Sequence, residues 1–514
     1  MVRHNTHLTE FGHSHYDPLE MKRVASGILP VIAVSRQASK PLHRQIYDGY
    51  RTAIVDGRLR PGQRIPSTRV LASELGVSRF PVLNAYAQLL AEGYFESRVG
   101  AGTVVSSALP DQFTSSQLAP PAHLTATRSG PRLLARRISV LPPFENAPWL
   151  GGRGAFGVGQ VAFDHFPLHV WSRLISRCSR NMSAQSTHYG DQAGTRVLRE
   201  TIASYLRTAR SLHCEAEQIL IVSGSQQALE LSTRVLLDPG SRVWMEEPGY
   251  RLARVVFALN GCQLVPVPVD EEGMDVAAGI KRYRKARAAF VTPSHQFPLG
   301  ATLSASRRLQ LLDWAQSSGS WIIEDDYDSE YRYESSPIAS LQGLDANGRV
   351  IYIGTFSKVL FPGLRLGYLV VPPDLVDRFL SVRRAMDLGP PAFHQEVLAD
   401  FISEGHFARH IRRMRVLYHE RRSALAAGIR KEFGDMVEVH GSEAGMHLTV
   451  TMQKGGDDME IAKRAARQNL RIWPLSFFYM GEAPHQGFIL GFGSTPTAEI
   501  ARALRKLRSL IGSK

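Results

Sequence analysis

Cysteine is scarce in this chain, whose 514 residues include only Cys178, Cys214 and Cys262. The three are widely spaced and form no C-x-x-C pair, which argues against a disulfide framework and against a structural zinc site. No apolar run reaches membrane-spanning length, and the first residues lack the apolar centre of a signal peptide. From these absences we expect a soluble protein of the reducing cytoplasm.

Acidic residues are also in the minority, with 47 Asp and Glu against 61 Lys and Arg and a formal net charge of +14. Such an excess fits a polyanionic partner, although a generally basic surface explains it equally well. The hydrophobic content of 44% is ordinary for a globular protein, and the length predicts two or three domains. Composition alone therefore leaves the function open.

Four regions differ in composition. Residues 1–37 are polar and mostly without pattern, and we interpret them as a disordered tail. Residues 38–106 form a patterned module. Residues 107–153 contain seven prolines among Ser, Thr, Ala and Gln, which predicts a linker. Residues 154–514 have the pattern of a large folded domain with no short internal repeat.

The module at 38–106 predicts three helices and a hairpin. Residues 42–57 have one apolar face, while Ser67 and Ser78 stand where they would cap two further helices. A short turn containing Gly76 separates the second and third helices, which is the helix-turn-helix signature. Residues 94–97 and 103–105 would pair around a glycine-containing tip. The region from Arg36 to Ser106 carries ten basic and five acidic residues, so DNA binding is favoured over a small helical interaction domain with a basic face.

The region after residue 154 alternates apolar runs with segments of helical period. Helical segments at 226–237 and 304–316 lie between these runs. The runs themselves predict buried strands at 219–222, 242–245, 288–291, 321–323 and 350–353. This alternation predicts an α/β fold with a mainly parallel sheet.

Lys358 stands out within the segment I-Y-I-G-T-F-S-K-V-L-F-P-G-L-R-L-G-Y. A lysine in apolar surroundings near a cation such as Arg365 has a lowered pKa, and its free amine can condense with an aldehyde. An isolated lysine is far more often a solvated surface residue. The prediction therefore depends on three other segments.

Each of those three segments can be interpreted as part of a ligand site or in another way. The turn S-G-S-Q at 223–226 opens a helix and suits a phosphate, but it also fits an ordinary capped turn. The carboxylates of E-D-D-Y-D-S-E-Y follow a buried strand and suit a protonated ring nitrogen, or a divalent cation. Tyr250 in E-E-P-G-Y would stack on a ring or fill the core.

The first module resembles the winged helix-turn-helix of GntR-type bacterial regulators through P-L-H-R-Q-I-Y, R-I-P-S-T-R and L-G-V-S-R. A departure is Phe80-Pro81, where that family often has threonine before valine. By position, the resemblance implies DNA contacts from Arg64, Ser67, Arg69, Ser78, Arg79, Arg98, Gly100 and Gly102.

The large domain resembles the fold-type I aminotransferases, and T-P-S-H-Q-F-P-L-G and G-T-F-S-K-V-L-F-P-G-L-R resemble the MocR family of regulators. That family, with GabR-like and PdxR-like proteins, fuses a GntR-type head to an aminotransferase-like body that binds pyridoxal 5'-phosphate. The resemblance implies a fold-type I transferase domain with a mainly parallel sheet and a small C-terminal α/β subdomain.

The same resemblance assigns the cofactor-binding residues. It implies that Lys358 forms the internal aldimine, Asp325 faces the ring nitrogen and Tyr327 bonds the ring hydroxylate. Asp328 and Tyr331 are a competing pair, since true aminotransferases often space the two residues D-x-x-Y. The resemblance assigns stacking on the ring to Tyr250. It assigns phosphate binding to Ser225, Gln226, Ser357 and Arg365.

The sequence departs from the aminotransferase pattern at two places that would be near the substrate. Gln296 and Phe297 precede Pro298, where aminotransferases typically place asparagine before the proline. Ile489 stands where many carry an arginine for the substrate carboxylate, so a simple α-amino acid effector requires another cation such as Arg251 or Arg471.

We therefore expect a homodimeric transcription regulator that binds double-stranded DNA and pyridoxal phosphate and senses an amine, an amino acid or the cofactor itself. The alternatives are a working aminotransferase with an appended DNA-binding domain and a regulator that has lost the cofactor. We expect at most residual transaminase activity, no metal ion and no membrane partner.

Overall fold

The computed structural model describes residues 32–98, 102–108, 133–141, 147–182, 188–333, 339–441, 443–454 and 456–512. Contacts between residues divide the chain into two compact units, Met1–Arg132 and Leu133–Lys514. The predicted linker ran to residue 153, whereas the contacts assign residues from Leu133 onward to the second unit. The predicted tail as far as residue 31, Gly100 at the hairpin tip and linker residues 109–132 and 142–146 lie outside the described residues.

The first unit contains three helices followed by a hairpin. Its elements are α1 (Leu42–Val55), α2 (Thr68–Glu74), α3 (Arg79–Ala91), β1 (Phe95–Arg98) and β2 (Gly102–Val105). Ser67 caps α2 by accepting a hydrogen bond from the Val70 amide at 3.3 Å, while Ser78 occupies the position before α3 without a side-chain cap. The strands pair antiparallel, with Phe95 opposite Val105.

Three aromatic rings hold this unit together. Tyr50, Tyr86 and Phe95 contact one another edge to face, with ring centroids 5.3 to 5.7 Å apart. All three are buried, and they join α1, α3 and β1 into one core. The helix-turn-helix and its hairpin are therefore held as one packed body.

The second unit alternates strands and helices along the chain, as predicted. The helices are α4 (Leu168–Arg180), α5 (Arg196–Arg210), α6 (Ser225–Leu236), α7 (Arg251–Leu259), α8 (Val276–Tyr283), α9 (Ala305–Ser318), α10 (Leu341–Leu344), α11 (Val376–Asp387), α12 (Phe393–Ser403), α13 (His406–Phe433), α14 (Asp458–Arg467) and α15 (Thr497–Gly512). The strands are β3 (Ile219–Val222), β4 (Arg242–Glu247), β5 (Gln263–Asp270), β6 (Gly273–Met274), β7 (Ala288–Val291), β8 (Trp321–Asp326), β9 (Val350–Thr355), β10 (Gly367–Val370), β11 (Val437–His440), β12 (His447–Met452), β13 (Trp473–Pro474) and β14 (Gly487–Gly491).

Eight strands form the main sheet in the order β3-β10-β9-β8-β7-β4-β5-β6. The central strands β9, β8, β7, β4 and β5 run parallel, while β10 is antiparallel to both β3 and β9. Apolar side chains bury both faces of this sheet. Since parallel strands end on the same edge, the polar residues that follow β8 and β9 are brought to one side of the sheet.

A smaller antiparallel sheet lies nearer the C-terminus, in the order β11-β12-β14-β13. It confirms the predicted small C-terminal α/β subdomain. Ile489 lies on β14, paired with Thr449 and Trp473 on its two neighbours.

The three cysteines are buried, and none forms a disulfide. Among the described helices, none combines the length and the apolar character that a membrane crossing requires.

Candidate functional site

Strand β8 ends in three consecutive carboxylates that face in alternate directions. Glu324 and Asp326 lie on one face of the strand and Asp325 on the other, because successive side chains of a strand alternate. Glu324 accepts hydrogen bonds from the backbone amides of Leu341 and Gln342 at 2.9 and 3.0 Å. The three carboxylates therefore do not converge on one cation.

Asp326 belongs to a buried ion pair. The Arg210 Nε atom donates to the Asp326 carboxylate at 2.9 Å, and a terminal nitrogen of the same guanidinium lies 2.7 Å from that carboxylate. The two side chains are 6% and 1% exposed. The hydroxyl of Tyr352 donates to the same carboxylate oxygen. This pairing commits Asp326 to the protein interior and leaves Asp325 as the carboxylate on the opposite face.

Asp325 is buried, and its Oδ1 atom has no hydrogen-bond partner among the described residues. Burial raises the pKa of Asp325 to about 7, with Asp326 acting in the same direction and Lys358 against it. A buried carboxylate oxygen without a partner is costly unless a donor from outside the protein meets it. Asp325 therefore suits a ligand that presents a positively charged N–H group.

Lys358 follows β9 and reaches the same cavity as Asp325. Its Nζ atom lies 3.5 Å from the backbone oxygen of Gly159. Burial lowers the pKa of Lys358, as predicted, but the nearby charges are carboxylates of Asp328 and Asp325, which oppose that shift. Loss of solvation, rather than the expected neighbouring cation, is thus what favours the free amine.

In the turn before α6, the backbone lies close to the Arg365 side chain. Gly224 has a φ of 88°, and a Cβ atom there would lie 3.2 Å from the Arg365 guanidinium. Arg365 donates to the backbone oxygen of Ser223, and Ser225 is the first residue of α6. A cation next to a helix N-terminus gives this turn a positive electrostatic potential, which is favourable for an anion.

Tyr250 and Tyr327 both contact the ring of Phe297. Tyr250 contacts the Phe297 ring edge to face at 6.0 Å and accepts a hydrogen bond from the Gln226 amide at 3.1 Å. Tyr327 contacts Phe297 at 6.3 Å. Both tyrosines line the same cavity as Lys358.

A histidine and a carboxylate fix the position of Tyr327. The Nδ1 atom of His295 lies 3.0 Å from the Tyr327 hydroxyl and 3.1 Å from Asp328 Oδ2. Polar atoms of His295, Asp328 and His447 lie within 4.8 Å of one another, but His447 also hydrogen-bonds the Pro298 backbone oxygen at 3.1 Å. Burial lowers the pKa of His447 well below its usual value, so this imidazole is neutral. Tyr331 instead packs in the core against Tyr418, with ring centroids 4.9 Å apart.

These side chains meet in a cavity of about 730 Å³, within the range of small-molecule sites. Of the eight residues assigned to the cofactor, five line it: Lys358, Asp325, Tyr327, Tyr250 and Ser225. The competing Asp328 lines it as well, whereas Tyr331 does not. Gln226, Ser357 and Arg365 are not in its lining, although Gln226 bonds Tyr250 and Arg365 lies against Gly224. Sequence reasoning missed a further set of lining residues, of which only Thr292 lies in a quoted motif: Ile138, Leu141, Leu150, Val158, Gly159, Leu252, Val255, Thr292, Met446, His447, Trp473, Phe477 and Phe478.

The two candidate cations for a carboxylate differ in position. Arg251 lines the cavity, with its guanidinium 4.0 Å from the Phe477 ring centroid. Arg471 donates to the Ala466 backbone oxygen at 2.7 Å and does not line the cavity. Ile489 is fully buried among Phe297 and Phe478. Only Arg251 of the two arginines is placed to meet a ligand.

The predicted DNA-contacting residues lie on the first unit around α2, α3 and the hairpin. Arg64, Ser67, Arg69, Ser78, Arg79, Arg98 and Gly102 are all exposed. Arg79 donates to the Thr68 hydroxyl at 3.0 Å, which ties the start of α3 to the start of α2. The Arg98 guanidinium pairs with Glu96 at 2.6 Å, and Arg64 lies beside Gly102.

Family models match both units. Residues 42–105 match the model described as "Bacterial regulatory proteins, gntR family", and residues 155–507 match "Aminotransferase class I and II". The second match covers more than half of the chain.

Two relatives match along nearly the whole length. The chain is 40% identical to the probable rhizopine catabolism regulatory protein MocR of Rhizobium meliloti, over 93% of this chain and 95% of that protein. It is 32% identical to the pyridoxine biosynthesis transcriptional regulator PdxR of Corynebacterium glutamicum, over 90% of this chain and 94% of that one.

Solved structures match the second unit. The crystal structure of Pyrococcus horikoshii kynurenine aminotransferase in complex with PMP superposes with a TM-score of 0.68. It is 27% identical, and the match covers 74% of this chain and 97% of that one.

Proposed function

Because the chain belongs to the MocR-type regulators, which join a gntR-family region to an aminotransferase class I and II domain, we propose that it is a DNA-binding regulator that senses an amine through bound pyridoxal phosphate. The observation that carries this proposal is one cavity holding both the Lys358 amine and the unpartnered oxygen of Asp325. Such a protein acts in the cytoplasm, where its DNA lies.

The residues of the cavity fit pyridoxal phosphate. When bound, this cofactor supplies an aldehyde that bonds a lysine amine and exchanges with primary amines. Lys358 would hold the aldehyde carbon, Asp325 the ring nitrogen and Tyr327 the ring hydroxyl. Tyr250 would stack on the ring. The phosphate would be held at the start of α6 by Ser225, Gln226, Ser357 and Arg365.

Asp325 and Tyr327 are preferred over the competing pair Asp328 and Tyr331 for a geometric reason. Both carboxylates line the cavity with an Oδ1 atom that has no partner among the described residues, but Asp328 Oδ2 lies 3.1 Å from His295 Nδ1. Tyr331 packs against Tyr418 in the core, while Tyr327 lines the cavity. Asp325 is thus the carboxylate not paired with His295, and Tyr327 is the tyrosine that reaches the cavity.

DNA binding is assigned to the first unit through α3 and the hairpin. The exposed side chains at the start of α3, with Arg64, Arg69 and Arg98, would contact phosphates and base edges. We further propose that the chain acts as a homodimer, because two identical heads would recognise paired half-sites. An amine would shift DNA affinity only by the difference in its binding to the two conformational states.

The test is a mobility-shift titration of the full-length protein on DNA from upstream of its own gene. The protein is loaded with pyridoxal phosphate or left without it, and a panel of primary amines is added. We expect DNA binding whose affinity depends on cofactor and amine. Failure to bind any DNA, together with multiple-turnover transamination, would instead establish the alternative of an aminotransferase with an appended domain.

Phe80 gives a separate prediction about sequence recognition. It is the second residue of α3 and is 70% exposed, so its ring stands free at the end of the helix proposed to enter the major groove. An apolar side chain at that place reads the thymine methyl group. We expect Phe80→Ala to weaken specific binding about tenfold.

The matched control is Leu90→Ala, near the other end of α3, where the side chain is 38% exposed. Replacing thymidine with deoxyuridine in the DNA should weaken its binding by the wild-type protein and leave its binding by Phe80→Ala unchanged. Equal wild-type affinity for the two DNAs would show that Phe80 does not contact a thymine methyl group.

A further inference from the structure

Aromatic side chains form much of the cavity lining, among them Phe297, Trp473, Phe477 and Phe478. Phe297, Phe478 and Ile489 form one buried cluster. Partly buried residues that pack against this cluster are Val158, Tyr250, Tyr327, Trp473 and Phe477. The polar groups of Lys358 and Asp325 lie elsewhere in the lining and are assigned to the cofactor. A ligand beyond the cofactor would therefore meet aromatic rings.

The mouth of the same cavity carries apolar side chains that are open to solvent. Leu252 is 51% exposed, Leu150 is 43% exposed and Ile138 is 40% exposed, and all three line the cavity. Single exposed apolar residues are ordinary, but three that converge on one cavity mark a binding surface. A ligand with an apolar group would cover them and remove their area from water.

We propose that the effector is a primary amine carrying a large apolar group, such as an arylalkyl amine or an aromatic amino acid. The amine points toward Lys358, and the apolar group lies between Trp473, Phe477 and the exposed side chain of Leu252. This inference rests on the proposed function, because it identifies the chemical class of effector for the same site.

The same aromatic and apolar lining disfavours a small or strongly polar amine. A polar group placed against these rings would lose its hydration without gaining a hydrogen bond. Arg251 is the exception, since its guanidinium lies over the Phe477 ring and also lines the cavity. A carboxylate on the effector would be bound there, next to the apolar group rather than in place of it.

Four probes separate these contributions: phenethylamine, ethylamine, L-phenylalanine and L-alanine. Each is titrated into the full-length, cofactor-loaded protein, and half-saturation is read from tryptophan fluorescence and from the midpoint of thermal unfolding. We expect each phenyl-bearing probe to bind at least about tenfold more tightly than its small counterpart. The comparison of phenethylamine with L-phenylalanine measures what the carboxylate adds.

The matched variants are Leu252→Gln and Leu309→Gln. Both leucines are more than half exposed, at 51% and 58%, so neither change should unfold the protein, but only Leu252 lines the cavity. We expect Leu252→Gln to weaken the binding of phenethylamine at least about threefold. The affinity for ethylamine and the visible absorbance of the cofactor should stay the same. Leu309→Gln should match the wild type.

Three results would overturn the inference. Equal affinity for phenethylamine and ethylamine would remove the apolar subsite while leaving amine sensing intact. Equal behaviour of the two leucine variants would place the phenyl group elsewhere. A change in the sedimentation of Leu252→Gln, without a change in amine binding, would show that a second copy of the chain covers this surface. Loss of the proposed function itself would appear differently, as protein without cofactor absorbance or without any response to any amine.

Discussion

Lys358→Ala is expected to yield a protein that purifies without the visible absorbance of lysine-bound pyridoxal phosphate. The side chain supplies the amine in the cavity, and burial already favours its uncharged, reactive form by lowering its pKa. Alanine cannot form that bond, so the loss should be complete rather than partial. The measurement is an absorbance spectrum of the purified protein, with borohydride reduction and mass spectrometry to locate the trapped cofactor.

The control is Lys281→Ala, which removes an exposed lysine on α8. It should keep the full absorbance. DNA binding in the absence of cofactor should survive in both variants, because the proposed DNA contacts lie in the other compact unit. Visible absorbance that persists in Lys358→Ala would mean that a different amine holds the cofactor, and the sensing proposal would fail with it.

Elements with a local cause were predicted well from the sequence. Helix α2 starts after Ser67 and ends before Gly76, as predicted. Helix α1 ends at Val55, two residues before Gly57, where its end was predicted. Five strands of the main sheet, β3, β4, β7, β8 and β9, were predicted by short apolar runs because both faces of that sheet are buried there. Strands β5, β6 and β10 were not predicted. In each case the signal lies within a few residues of the element itself.

The sequence favoured Asp325 over Asp328 only because Asp325 leaves the predicted strand first. Asp325 and Asp326 end β8 and Asp328 follows it, so position along the chain is weak evidence for choosing among them. Strand alternation and Arg210, 116 positions before Asp326, make the distinction by committing Asp326 to an ion pair. Contacts of that sequence separation leave no periodic signal.

The apolar side of the cavity was also beyond prediction. Ile138 and Leu150 belong to a segment whose prolines predicted a linker, and Trp473 and Phe477 come from the small C-terminal sheet region. These residues become neighbours only when the second unit folds. Composition gave no signal for these contacts, because a few apolar side chains suffice to line a cavity.

The buried pair of Arg210 and Asp326 leads to the largest expected change in stability. Arg210→Met leaves the Asp326 carboxylate, 1% exposed, without its cation and next to a second buried carboxylate on Asp325. Removing one member of a buried pair typically costs about 3–5 kcal/mol, because the remaining charge is neither solvated nor compensated. Urea unfolding of the full-length protein without cofactor, followed by fluorescence, measures this loss.

Arg196→Met is the matched control, because Arg196 pairs with Glu200 at 2.7 Å on the surface, where the side chains are 74% and 51% exposed. Its loss should be below about 1 kcal/mol. The double variant Arg210→Met with Asp326→Leu should recover part of the stability lost in the single variant, since no buried charge is then left unpaired. If Arg210→Met were no more destabilising than Arg196→Met, Asp326 would not be an ionised partner of Arg210, and an ion pair would not distinguish Asp326 from Asp325.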